Sequence, residues 1–119
     1  MTSPDPQAEG RRRAEDFLAL LDEDDAAADR LLAELTDVRE LVFLGAGLTA
    51  IARAEGRALP TAQRAQASTR QVRLGQLRDA GREKAKGGDI EGLRTWLRSS
   101  GEEILFIRSL RTAAERALG

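Results

Sequence analysis

Glu34, Asp37 and Glu40 stand three residues apart, a spacing that on one helix brings three carboxylates towards one face. Acids so placed can hold a magnesium ion between helices and activate water, the chemistry of an all-α metal-dependent nucleotide hydrolase. Such a site needs a second acidic pair on a facing helix, and Glu102-Glu103 is the candidate. Asp37-x-x-Glu40 is equally a capping box, which accounts for two of the three acids without a metal. No metal ligand is assigned on this basis.

Gly45-Ala46-Gly47-Leu48-Thr49-Ala50 fits G-x-G-x-x-A, the turn that lets backbone N–H groups approach a pyrophosphate at a helix N-terminus. Its context is wrong. No strand pattern follows Ala58, and no strand ending in an acid arrives about 20 residues later. Close helix–helix contact in a core is the expected use of Gly45 and Gly47. The acidic run Asp22-Glu23-Asp24-Asp25 fails as a calcium loop, because positions 6 and 12 counted from Asp22 hold Ala27 and Ala33 rather than glycine and glutamate. Those acids are expected to form a turn and to cap the helix after it.

The most informative segment runs from Thr61 to Lys86. At helical spacing, Ala67, Leu74, Leu77, Gly81 and Ala85 share a narrow apolar stripe. Arg70, Arg73 and Lys84 border it on one side, and Arg64, Arg78, Arg82 and Lys86 on the other. Arginine stems beside an apolar seam pack on a partner while their heads meet acids. The candidate interaction surface is therefore Arg64, Arg70, Arg73, Arg78 and Arg82. The acidic first half of the chain is one possible partner, within the fold or across a dimer. Phosphate contact with nucleic acid is the alternative. The segment lacks a glycine turn in helix-turn-helix register and has no aromatic on which a base could stack.

Composition narrows the chemistry. Cysteine and histidine are absent, as is tyrosine. Disulfides, thiolate or imidazole metal sites, and Ser-His or Cys-His catalysis are excluded. No catalytic residue and no cofactor is assigned, and the expectation is that the protein is not an enzyme. Net charge is −1, but it is segregated. Residues 1–52 carry five Arg against twelve acids, a net of −7, and residues 53–98 carry eleven basic residues against five acids, a net of +6. Seventeen of the 19 basic residues are arginine, which suggests a GC-rich bacterial genome or its phage. The longest uncharged run, Leu41 to Ala52, is twelve residues, short of the ~20 a membrane span needs. The N-terminus has no apolar stretch of the secretory kind, so a cytoplasmic location is expected.

The elements that must position these residues read as helices throughout. Asp5-Pro6 opens a first helix that ends near Leu21. Ala28, Leu31, Leu32 and Leu35 mark a second. A third begins at the Asp37 capping box, and its apolar middle, LVFLGAGLTAIA, predicts burial on all sides at the centre of the fold. Gly56 ends it, and Leu59-Pro60 leads into the basic helix, with Gly75 and Gly81 as possible kinks. Gly87-Gly88-Asp89 is a stop followed by a cap. Ser100-x-x-Glu103 reads as a further capping box, separating a helix with Ile90, Leu93, Trp96 and Leu97 from a last one with Ile104, Phe106, Ile107 and Leu110. Residues 1–5 are expected to be flexible. The expected fold is all-α, one domain over residues 1–119, a compact bundle of five or six helices with a long basic helix in the middle of the chain. Leu44, Leu48, Ile51, Trp96, Phe106 and Leu110 are expected in its core. A bundle of this kind, without catalytic residues, is expected to bind a protein partner or itself.

Overall fold

A computed structural model of the chain describes residues 6–87 and 89–118, the side chains of Pro6, Gln7, Ala85 and Leu118 excepted. Residues 1–5, and with them the Asp5 cap and the expected flexibility, lie outside the described residues. Five helices and no strand occur among the described residues: α1 (Pro6–Glu23), α2 (Asp25–Glu34), α3 (Val38–Ala58), α4 (Thr61–Lys86) and α5 (Glu91–Leu118). The fold is an all-α bundle.

The helix starts follow local chemistry. Asp24 alone separates α1 from α2. Its carboxylate accepts the Ala27 N–H, and its own N–H donates to Leu20 O. The expected four-residue acidic turn is thus a single residue, with Asp22 and Glu23 inside α1. Asp37 caps α3 by accepting from Arg39 N–H. Asp89 does the same for α5 through Glu91 N–H. Helix α3 runs two residues past Gly56, to Ala58. Helix α4 is continuous through Gly75 and Gly81.

The largest departure from expectation is at Ser100-Gly101-Glu102-Glu103. It starts no helix. Helix α5 passes through it unbroken for 28 residues. Gly101 lets α1 come close, because a Cβ there would sit 2.7 Å from Leu21 and 3.0 Å from Phe17. The unbroken α5, rather than α3, is the central element, and it packs against each of the other four helices. Helix α3 keeps one face in solvent. Leu41, Leu44, Leu48 and Ile51 are buried, whereas Val42 is 41% exposed and Ala46 and Ala50 are exposed too. Uniform apolarity therefore did not mean burial on every side.

The main core joins α1, α2, α3 and α5 through Phe17, Leu18, Leu32, Leu41, Leu48, Trp96, Leu97 and Ile104, among others. Among the described residues, helix α4 adds no buried one to it and meets it through half-buried Leu77. A small second cluster of Leu59, Ala67 and Ile107, with Leu110 against it, holds one end of α4 to α5. At the other end Gly81 meets Gly92, where a Cβ on Gly81 would lie 2.7 Å from Gly92 O. Phe106 and Leu110, expected in the core, are only half-buried because both lie on this thinner α4–α5 seam. The other four expected core residues are buried.

The glycine motif belongs to the packing. A Cβ at Gly45 would collide with the Trp96 ring at 2.3 Å, and one at Gly47 with Gly10 O at 2.4 Å. Gly47→Ala should therefore cost about 1–3 kcal/mol by forcing α1 from α3. Gly75→Ala should add about 0.5–1 kcal/mol, because its Cβ would meet nothing nearer than Arg78 Nη2 at 3.9 Å. Leu48→Ala should cost about 2–5 kcal/mol. Urea melts of the three variants check this, and equal effects of the two glycine substitutions would contradict the packing described.

Candidate functional site: the cleft between helices 3, 4 and 5

Because α4 is held at its two ends, a gap remains along the middle of its contact with α5. The face of α5 turned to α4 carries Gly92, Trp96, Ser99, Glu103 and Phe106, spaced three and four apart. Large apolar residues would close this seam, but Ser99 and Glu103 stand at its middle. Opposite them α4 offers Leu74, Gly75 and Leu77, all half-buried. Two clefts open from the gap, and Leu74 and Glu103 line both. One, about 280 Å³, is bordered by Arg70, Arg73, Ser99 and Glu102. The other, about 310 Å³, faces α3 and is bordered by Arg53, Gln71, Arg78 and Trp96.

Glu103 is the anomaly of the site. It is 4% exposed, and its Oε1 is the one buried side-chain oxygen or nitrogen among the described residues without a hydrogen-bond partner. Burial pushes its carboxyl up to about 7, opposed by the positive charge of Arg70. At neutral pH it is therefore poised between a carboxylate that accepts and a carboxylic acid that donates. Arg70 does not reach it as an ion pair. The Arg70 guanidinium lies over the Phe106 ring, 3.9 Å from its centroid.

The five arginines expected to form one surface are distributed. Arg70 and Arg73 line the first cleft and Arg78 the second. Arg78 also touches Asp79 of its own helix at 3.4 Å. Arg64 turns back onto the end of α3, donating to Leu59 O and Arg57 O at 2.8 Å, and so satisfies carbonyls that the helix leaves open. Arg82 is exposed and lines neither cleft. Within the protomer, no ion pair among the described residues joins this helix to the acidic half of the chain. Among the described residues, the ion pairs of α4 are Arg78–Asp79 and Lys86–Glu83, both within α4. The acids of α1, α2 and α3 are met by α5 instead: Arg98 pairs with Asp25 and Asp29, and Arg108 with Glu15 and Glu55. Arg94 donates to Leu32 O and Leu35 O at the end of α2.

The acidic triplet does not share a helix face. Glu34 is the last residue of α2, Asp37 the cap and Glu40 the first turn of α3, so the chain bends between them. Glu102 is bonded to Arg98 at 3.0 Å. Among the described residues, no three acids come together to hold a metal ion. The G-x-G-x-x-A segment lies inside α3, where its backbone N–H groups are turned to intrahelical bonds.

Sequence reasoning missed Glu103 and Trp96 as site residues. A signal was present. Leu93, Leu97, Ser100, Ile104 and Ile107 keep one helical phase, and counting through Ser100 puts Glu103 beside the apolar stripe rather than at a helix start. No protein-family model, curated protein or solved structure matches the chain.

Folding raises the Glu103 pKa, so its ionisation carries no penalty at acid pH and destabilises the fold as pH rises from the ordinary carboxylate range through about 7. Glu103→Gln removes the ionisation and keeps the shape. The variant should match the wild type near pH 4 and exceed it at pH 8 by on the order of 2 kcal/mol. Urea melts across that range measure the difference, and a parallel pH dependence in the two proteins would contradict the assignment.

Proposed function

We propose that the protein is a non-catalytic helical protein–protein interaction module, an adaptor, assembly chaperone or regulatory partner, whose binding face is the α3–α4 side of the cleft. One observation carries the reading: apolar surface is left open beside arginines. Val38, Val42, Ala46 and Ala50, spaced by four along α3, form an exposed apolar line. Beside that line lie the groove wall with Arg53 and then α4 with Arg78 and Gln71. Exposed apolar patches rimmed by polar groups mark interaction sites, and arginine is enriched in interfaces. Helix α4 adds to this. It is 26 residues long and buries little more than Ala67 and Gly81, so a partner that covers it would supply packing it lacks. No described helix is long and apolar enough to cross a membrane. A cytoplasmic site of action and a bacterial or phage origin fit the composition and are part of this proposal.

A second reading, nucleic-acid binding, is favoured by Arg73, Arg82 and Lys84. All three are exposed on α4 and have no acid within ion-pair distance among the described residues. Replacing Arg70, Arg73 and Arg78 with glutamine separates the two. The triple variant should weaken self-association or binding to a co-purified protein about tenfold or more, measured by sedimentation. Wild-type protein should bind duplex and single-stranded nucleic acid no tighter than about 10 μM at physiological salt, weaker than typical specific complexes. If the variant leaves assembly untouched and abolishes a gel shift that weakens with salt at a slope near −0.9 per phosphate contact, the nucleic-acid reading replaces the first.

A further inference from the structure

The clefts that meet at Glu103 are positively charged. Arg70, Arg73, Arg53 and Arg78 border them, against Glu102 and Glu103. Glu102 is already paired with Arg98. Helix α1, packed on another side of α5, brings Phe17 and Leu21 to Gly101 rather than a charge. The gap thus suits an anion, and at about 280 Å³ it suits one of side-chain size rather than a nucleotide. Glu103 Oε1, buried and unpartnered, lies at its floor.

The chain itself carries the matching group. Helix α4 has seven basic residues against two acids, a net of +5, while residues 6–34, spanning α1 and α2, have nine acids against four arginines, a net of −5. No ion pair among the described residues joins α4 to α1 or α2. Asp22 and Glu23 occupy the last turn of α1, one residue before the N-terminus of α2, whose dipole favours acids, and Asp22 borders a shallow cleft with Arg108 and Arg116 of α5. Both are exposed, and neither is in an ion pair among the described residues.

We propose that the Glu103 cleft is a carboxylate socket filled by the Asp22–Glu23 end of α1 from a second copy of the chain. This rests on the interaction reading above and names its partner. The incoming carboxylate meets the arginines of the rim, and its oxygen accepts a hydrogen bond from protonated Glu103, two carboxyl groups sharing one proton. Donor and socket sit at different places on the protomer, so the contact is either made twice, reciprocally, in a twofold dimer, or made once per pair in a ring or chain.

The test uses the full chain and two surface variants, one with Asp22→Asn and Glu23→Gln, the other with Arg73→Gln and Arg78→Gln. Wild-type protein should associate, as a dimer or larger, in sedimentation velocity at about 100 μM and low salt. Each variant alone should be monomeric, and their equimolar mixture should stop at a one-to-one dimer, since one copy then supplies an intact socket and the other an intact acidic end. Histidine and cysteine are absent, and among the described residues Glu103 is the side chain whose pKa is raised to about 7. Association should weaken about tenfold over that span, as one proton with a midpoint of about 7 requires. Glu103→Gln should associate with no such dependence. Emission of Trp96, the one tryptophan and a lining residue of the cleft, should shift with assembly. A monomeric wild type at pH 6 overturns the proposal. So does association that the Asp22/Glu23 variant leaves intact, and if the arginine variants still abolish that association, the interaction reading survives with a different partner. Association that is constant from pH 6 to 8 removes Glu103 from the socket and overturns the proton-shared contact.

Discussion

One continuous helix has to serve as packing surface for four others, and this constraint shapes the rest of the molecule. Helix α5 meets α1, α2, α3 and α4 on different sides of a single 28-residue cylinder. With three phenylalanines and one tryptophan in 119 residues, the chain has few large side chains to bridge distant helices. It brings the backbones together instead. Gly101 admits α1, Gly45 admits the Trp96 ring, Gly47 meets Gly10, and Gly81 meets Gly92. Dispersion and apolar burial both reward short separations, so close backbone contact lets leucine and alanine fill a core without aromatic bulk.

The same arrangement explains why, among the described residues, α4 adds only Ala67 to the buried apolar ones. Sides of α5 are already taken by α1, α2 and α3, and the face left for α4 bears Ser99 and Glu103 at its centre. Helix α4 therefore docks at the Gly81–Gly92 contact and at the Leu59–Ala67–Ile107 cluster, and the seam between them stays open. A buried carboxyl in such a seam is kept from water without being given a partner, and its raised pKa is the expected response. A leucine at the position would close the seam. The presence of an acid is what makes the cleft chemically distinctive.

Arginine does structural work that a count of charges hides. Arg94 and Arg64 each donate to carbonyls at a helix end, those of α2 and α3. Arg98 and Arg108 tie α5 to the acids of α1, α2 and α3. These pairs absorb part of the negative charge of the first half of the chain. The cations of α4 are left out of that exchange, because α4 and the acidic helices lie on different sides of α5. Charge segregation along the sequence is thus converted into charge segregation across the surface.

Much was legible in the residues alone. The helical class, the caps at Asp24, Asp37 and Asp89, the boundary at Leu59-Pro60, the burial of Leu44, Leu48, Ile51 and Trp96, and the packing role of Gly45 and Gly47 all follow from local periodicity and backbone chemistry. These are properties of a few neighbouring residues, which a linear pattern contains. The continuity of α5, its central position, the exposed line on α3 and the fate of Glu103 are not of that kind. Ser100-x-x-Glu103 has the composition of a helix start, and only the packing of α1 onto Gly101 and of α4 across the seam makes it the middle of a helix with its acid inside. Which arginine caps a carbonyl, which covers Phe106 and which borders a cleft depends on residues up to 62 positions away along the chain. A sequence specifies such contacts only through the fold as a whole, since burial and partnership are decided by what the other helices leave open.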